Sequence, residues 1–222
     1  MKRPLTLSAI VICCLMNWAN AEDKETVELT IKYPKPLVKG TEVPKGIPNL
    51  EPPRAKGTAP KLVTIPKGCE NVAFEKDVYS SNEDTVKGEL EMVTDGDKSG
   101  KDEAYLQLKE GLQWLQIDLE DSCTIYAVQL WHFHAKPKVY KDVIIQISDD
   151  ENFITGVTTI FNNDEDNSAL KGKGKDKNYI DEYYGKTITA NGVKGQYIRF
   201  YSNGSYGDKA NHYCEVEVYG TK

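Results

Sequence analysis

Trp114-Leu115-Gln116-Ile117-Asp118-Leu119 sets Leu115, Ile117 and Leu119 on one side of an extended chain and Gln116 and Asp118 on the other. That period of two predicts a half-buried β-strand. The pattern repeats outward from this stretch. Ile125, Val128 and Leu130 fit the same period only after a one-residue slip, which predicts a bulge. Val143, Ile145 and Ile147 alternate with Ile144, Gln146 and Ser148. Val157 to Phe161 is a β-branched run, Ile198 and Phe200 alternate with Tyr197, Arg199 and Tyr201, and Val216 and Val218 alternate with Glu215, Glu217 and Tyr219. Ser148-Asp149-Asp150, Asn162-Asn163-Asp164, Asn191-Gly192 and Asn203-Gly204 read as turns between them. No long segment has helical periodicity. The expected fold is all-β, an antiparallel jelly-roll β-sandwich over residues 69–222.

The preceding segment differs in kind. Tyr33 to Lys67 contains Pro34, Pro36, Pro44, Pro48, Pro52, Pro53, Pro60 and Pro66. Proline lacks the amide donor that a sheet ladder needs, so residues 22–68 read as an extended linker, or as a strap laid on the domain. Glu28 to Tyr33 alternates and predicts one short strand within it. Residues 1–21 have the form of a secretory signal peptide: Lys2 and Arg3, an apolar run from Leu5 to Met16 too short to span a bilayer, and Ala19-Asn20-Ala21 as the cleavage site. The expected location is secreted or periplasmic, and no later apolar run is long enough for a transmembrane segment. Losing Lys2 and Arg3 takes the net charge from −6 to −8. An acidic chain gains nothing electrostatically from polyanions, which argues against nucleic acid as a partner. Cys13 and Cys14 leave with the leader. Cys69, Cys123 and Cys214 remain, either as one disulfide and a thiol or as three buried thiols, and spacing does not choose a pair.

Several stretches, in order, resemble the discoidin or coagulation factor 5/8 type C family. Asn71-Val72-Ala73, Ser80-Ser81 and Val93-Thr94-Asp95-Gly96-Asp97 resemble its opening. Trp114 to Leu119, Ile125-x-x-Val128-x-Leu130, Asp142 to Asp150, Gln196 to Tyr201 and Glu215 to Gly220 resemble its later strands, the last being its closing E-V-E-V-Y-G. The resemblance implies a galactose-binding-like jelly roll shared with many carbohydrate-binding modules, with discoidin-type domains of bacterial secreted proteins the nearest in appearance. The chain departs from the family pattern at Lys98-Ser99-Gly100-Lys101, where a Thr and a Trp are common, and in the length of Asn162 to Lys186.

The resemblance also implies a structural Ca²⁺. Its ligands would be the Asp95 carboxylate, carbonyls near Val93 and Asp97, Ser99, and Glu215. Hard oxygen donors around a glycine turn suit that ion; the other reading of the turn is a solvated Asp-Gly corner. D-G-D-K-S-G also opens like an EF-hand loop, but Leu106 stands where that loop needs Glu. Asn162 to Ser168 reads either as a cation or sugar site or as a solvated surface loop.

His132, His134 and His212 carry three readings: zinc ligands of an H-x-H kind, ligand contacts, or internal hydrogen bonding. Carbohydrate sites pair an aromatic face with a few fixed polar groups. The candidates are Trp131, His132, His134, Tyr140, Asn162, Asn163, Arg199, Tyr201, Asn203 and His212. Arg199 alternatively pairs with Asp118 or Asp142. There is no G-x-S-x-G elbow, no P-loop and no G-x-G-x-x-G after a strand. The expectation is a non-catalytic extracellular module, not an enzyme, binding carbohydrate on a cell-envelope or extracellular surface. The alternatives are protein–protein adhesion and, further off, a zinc-dependent enzyme on the three histidines.

Overall fold

The structure is a computed structural model and describes residues 25–55, 58–82 and 84–222. Residues 1–21, expected to be a signal peptide and carrying Cys13 and Cys14, lie outside this set.

Eleven strands, β1 (Thr26–Glu28), β2 (Thr64–Pro66), β3 (Glu70–Asn71), β4 (Val78–Ser80), β5 (Leu106–Leu108), β6 (Gln113–Trp131), β7 (Ile144–Ser148), β8 (Thr158–Asn162), β9 (Lys186–Ser202), β10 (Asn211–Tyr213) and β11 (Glu215–Thr221), carry the fold. The only helical element among the described residues is a 3-10 turn at Leu90–Val93. All named pairs are antiparallel. The main sheet runs β3-β11-β6-β9-β7-β8, with β4 also on β6, beside the small pairs β1-β2 and β5-β10.

β6 and β9 are long because each crosses from one layer of the sandwich to the other. The first half of β6 pairs with the second half of β9 (Leu115↔Phe200, Ile117↔Ile198) and with β4. The second half of β6 pairs with the first half of β9 (Val128↔Ile188) and with β11 (Val216↔Leu130). The register shifts between Asp118 and Cys123, where Glu120 takes a φ of 69°, and again between Ile125 and Ala127. The second shift is the predicted slip. Cys123 and Ile125 face the core on odd positions, then Val128 and Leu130 on even ones. Opposite it, Asn191 and Gly192 adopt left-handed backbone inside β9. This pair therefore makes a bulge and not the expected chain reversal. Both are served by positive φ, which is why a turn signal appears mid-strand.

The core between the layers is built from Leu115, Ile117, Leu119, Ile125, Leu130, Ile145, Ile198, Phe200, Val216 and Val218, all fully buried. Each such side chain stabilises the fold by about 1.5–3 kcal/mol.

The proline-rich segment is a strap. Glu28 to Tyr33 does not form the predicted strand. β1 ends at Glu28, and Leu29 and Ile31 instead bury themselves, with Ile65, against Trp131, Phe133, Tyr105, Ala127 and Cys214 on the outer face of the β11-β6 layer. The ladder is replaced by single bonds such as Leu29 N to Val63 O at 2.8 Å. Further along, Glu51 N donates to Asn178 O at 2.8 Å, Asn178 N donates to Asn49 O at 3.1 Å, and Arg54 pairs with Glu182 at 2.6 Å.

Cys123 and Cys214 are buried thiols, so no bridge joins these two. Burial pushes both thiols up in pKa.

Candidate functional site

β6 ends at Trp131, β8 at Asn162, β9 at Ser202, and β11 begins at Glu215; the Glu215↔Trp131 pairing, the pairing of Ile144 with both Asn162 and Tyr201, the Tyr140–Ser205 bridge and the Ser202 Oγ–Tyr213 OH contact at 2.7 Å bring these termini to one end of the sandwich. The connections 132–143, 163–185 and 203–210 therefore gather there. Loops on a rigid sandwich are where binding groups belong. The sequence candidates lie in or beside these connections except Arg199, which sits within β9.

Burial separates the candidates. Trp131 is fully buried: the strap covers its face, and its Nε1 donates to Tyr183 O at 3.0 Å. It cannot offer a stacking platform, contrary to expectation. His132 is also fully buried, with Nδ1 2.7 Å from Asp181 Oδ2 and its ring stacked on Tyr140 at 4.1 Å. His134 Nε2 contacts Lys98 O at 3.0 Å, and its ring lies so close to Gly100 (φ 67°) that a Cβ there would meet it at 2.6 Å. Tyr140 is buried, and its hydroxyl reaches His212 Nδ1 at 3.2 Å. The three imidazoles thus have three separate partners. Among the described residues their nitrogens form no ligand group, which removes the zinc-site reading.

Asn162 and Asn163 are buried as well. Asn162 Nδ2 donates to Gly172 O at 2.9 Å, and Asn163 Oδ1 accepts Val143 N at 2.7 Å. Asp164 accepts Ser168 N and Ala169 N with its two oxygens. The 162–176 connection is tied down by these bonds and is not a loose solvated loop. Asp142, Asp164 and Asp166 gather there, with carboxylate oxygens within 4.8 Å of one another.

Arg199 pairs with neither Asp118 nor Asp142. Its guanidinium donates to Gln116 Oε1 at 2.8 and 2.5 Å and to Glu151 O at 3.0 Å, between the rings of Trp114 (4.3 Å) and Phe153 (4.2 Å). Asp118 takes Gln196 and Asp142 takes Asn203 and Ser168 instead. Tyr201, buried beside Ile144 and Ala169, supports that layer from below.

At the loop end Asn203 is half-buried and His212 is buried at 6% exposure, beside groups that sequence reasoning missed. Lys138 pairs with Asp208 across the 138–141 and 203–210 connections, and Lys87 lies over the Tyr105 ring at 4.2 Å, which is in edge contact with His212 at 5.6 Å. Burial, then the Lys138 ammonium, hold the His212 pKa down at about 4. The imidazole is therefore neutral at pH 7; its Nδ1 is engaged by the Tyr140 hydroxyl, which leaves Nε2 as its other hydrogen-bonding nitrogen. Nothing in the local sequence marks Lys87, Tyr105, Lys138 or Asp208, because three distant loops bring them together.

Of the expected cation ligands, the 95–99 turn and Glu215 are joined by hydrogen bonds, but among the described residues the Asp95, Asp97 and Glu215 carboxylates do not form a close group. Asp95 Oδ1 accepts Asp97 N at 2.7 Å, Asp97 Oδ1 accepts Ser99 N at 2.9 Å, and Glu215 Oε2 accepts Gly96 N at 3.0 Å. Val93 is fully buried beneath this turn. Glu215 Oε1 and Ser99 Oγ are buried with no protein partner. Burial pushes the Glu215 pKa up to about 9. An oxygen-rich turn with an orphaned carboxylate oxygen and hydroxyl fits a hard cation such as Ca²⁺.

Residues 92–200 match the model of the F5/8 type C family described as "NedA-like, galactose-binding domain". No curated protein matches the chain. Among solved structures, a family 32 carbohydrate-binding module of a Clostridium perfringens family 89 glycoside hydrolase aligns at 18% identity and TM-score 0.50, over 67% of this chain and 98% of its own. A fucolectin from striped bass serum aligns at 19% identity and TM-score 0.50, over 69% of this chain and 48% of its own. A chitosan-binding module from a Paenibacillus chitosanase/glucanase aligns at 23% identity and TM-score 0.48, over 68% and 99%. Residues 92–200 are thus similar in sequence to the F5/8 type C-like, galactose-binding family, and about two thirds of the chain shares the fold of these solved structures.

Proposed function

We propose that the protein is a non-catalytic, exported carbohydrate-binding module that engages glycan on a cell-envelope or extracellular surface through its loop end. The observation that carries this reading is the match of residues 92–200 to the galactose-binding family model. The loop end supports it chemically. A neutral His212, the Asn203 amide and the Lys138–Asp208 pair present donors and acceptors of the kind that fix sugar hydroxyls. Lys2, Arg3, the Leu5–Met16 run and Ala19-Asn20-Ala21 support export.

A bound Ca²⁺ would sit at Glu215, Ser99 and the Asp95–Asp97 turn. It would satisfy the orphaned oxygens and hold that turn against β11, a structural role. The function is tested by a glycan array followed by affinity electrophoresis on the polysaccharides it selects. The wild-type chain should be retarded, and Lys138→Ala with Asn203→Ala should lose most of the retardation while melting as a folded domain. Absence of retention on every glycan would overturn the reading.

A further inference from the structure

Between the strap and the 96–101 turn opens a cleft of about 410 Å³. That lies within the usual range of ligand sites, about 300–1,000 Å³. Its walls carry Lys32, Lys35, Lys98 and Lys101 against a single acid, Asp97. Lys98 is already engaged, paired with Glu217 and 4.8 Å over the Trp131 ring. Lys32, Lys35 and Lys101 are exposed, and among the described residues none of them makes an ion pair. The whole chain carries 34 acidic against 28 basic side chains, so this cavity reverses the sign of the surface locally. Fields focused by a concave wall raise the local concentration of opposite charge.

Both walls are fixed beforehand. On the strap side, the burial of Leu29 and Ile31 holds the chain, and Tyr33 packs edge-on against Tyr184 at 5.0 Å. On the other side, the Asp95, Asp97 and Glu215 hydrogen bonds set the turn. Pre-set walls reduce the ordering cost of binding.

We propose that this cleft binds a segment of acidic polysaccharide, its carboxylate or sulfate groups lying among Lys32, Lys35 and Lys101 and a sugar face against Tyr33. The anion site stands on the cleft alone. The choice of a polysaccharide among polyanions rests on the carbohydrate-binding reading above.

The test uses the chain from residue 22 to 222, with affinity electrophoresis and calorimetry on polygalacturonate, dextran sulfate and neutral dextran, beside the glycan found for the loop end. The expected result is binding to polygalacturonate, dextran sulfate or both, and none to dextran. Binding to polygalacturonate alone identifies the carboxylate source and to dextran sulfate alone the sulfate source. The triple variant Lys32→Ala, Lys35→Ala, Lys101→Ala should bind about tenfold more weakly, the product of three exposed charge contacts. The triple Lys→Arg variant should restore binding, and the loop-end glycan should bind all three proteins alike. If neither acidic polymer binds, or the alanine variant binds as tightly as wild type, the cleft proposal is overturned. Loop-end binding that survives this leaves the carbohydrate-binding reading intact; loss of both defeats the two together.

Discussion

Replacing Leu29 and Ile31 with alanine should destabilise the whole sandwich and not only release the strap. Both side chains are more than nine-tenths buried, against Trp131 and Phe133. Each truncation removes three carbon atoms from the apolar cluster, worth about 0.8 kcal/mol apiece, or about 2.4 kcal/mol per residue before any cavity is counted. Large-to-alanine changes in well-packed cores cost about 2–5 kcal/mol; a strap can collapse into the gap more freely than a central strand, so about 2–3 kcal/mol each is expected. For a domain of this size about 1 kcal/mol moves Tm by about 2–4 °C, so each single variant should melt about 4–12 °C lower. Differential scanning calorimetry and urea titration on the mature chain read this directly. A unitary transition at lower temperature is the expected outcome. If each variant instead melts within about 1 °C of wild type, the strap does not share the core, and the burial of Trp131 beneath it is not energetic.

Three further outcomes follow from particular contacts. Millimolar Ca²⁺ should raise Tm over an EDTA-treated sample, and Glu215→Gln should abolish that difference; identical melts with and without EDTA in the wild type would refute the cation site. His212 has a folded pKa of about 4, below the unfolded value of about 6.5, so the stability it contributes is present above pH 6.5 and lost as pH falls through 4. That loss is at most about 3 kcal/mol, and it should disappear from the pH 7 to pH 4 difference in urea midpoint when His212→Gln is compared with wild type. Gly195→Ala places a Cβ 2.4 Å from Ile147 Cγ2 and 3.0 Å from Ser148 O, just beyond the Ser148↔Tyr197 pair of β7 and β9, and should cost about 1–3 kcal/mol in a urea titration.

Most of the fold was legible because strand alternation is local. Leu115, Ile117 and Leu119 are buried in every geometry that keeps a period of two, and the slip after Ile125 shows in the change from odd to even apolar positions. Asn191-Gly192 misled because left-handed backbone serves a bulge as well as a hairpin. The site was less legible. Trp131 and His134 look like ligand groups because aromatic and imidazole side chains near a strand end suit sugars. Whether they are free depends on what covers them. Here the covers are the strap, far earlier in the chain, and the Gly100 turn. His132 finds Asp181 forty-nine residues away. No periodicity encodes such pairings; they are set by how loops of uneven length return across the sandwich end.

The cover over the β11-β6 layer also explains why the 95–99 turn and the lysine cleft lie together. A jelly roll normally leaves one face of such a layer to water, and Glu215 and Glu217 alternate with Val216 and Val218 as that pattern requires. Once the strap and the 96–101 turn close over them, both carboxylates are buried and need partners. Glu217 receives the Lys98 ammonium and the Tyr219 hydroxyl. Glu215 receives one amide, from Gly96, and keeps an orphaned oxygen, as does the Ser99 hydroxyl. With Lys98 held over Trp131 by the other acid, the proposed Ca²⁺ would complete Glu215 in its charged form. The lysines farther out on the same walls, Lys32, Lys35 and Lys101, face solvent without such acids, and their charge is left for an external anion.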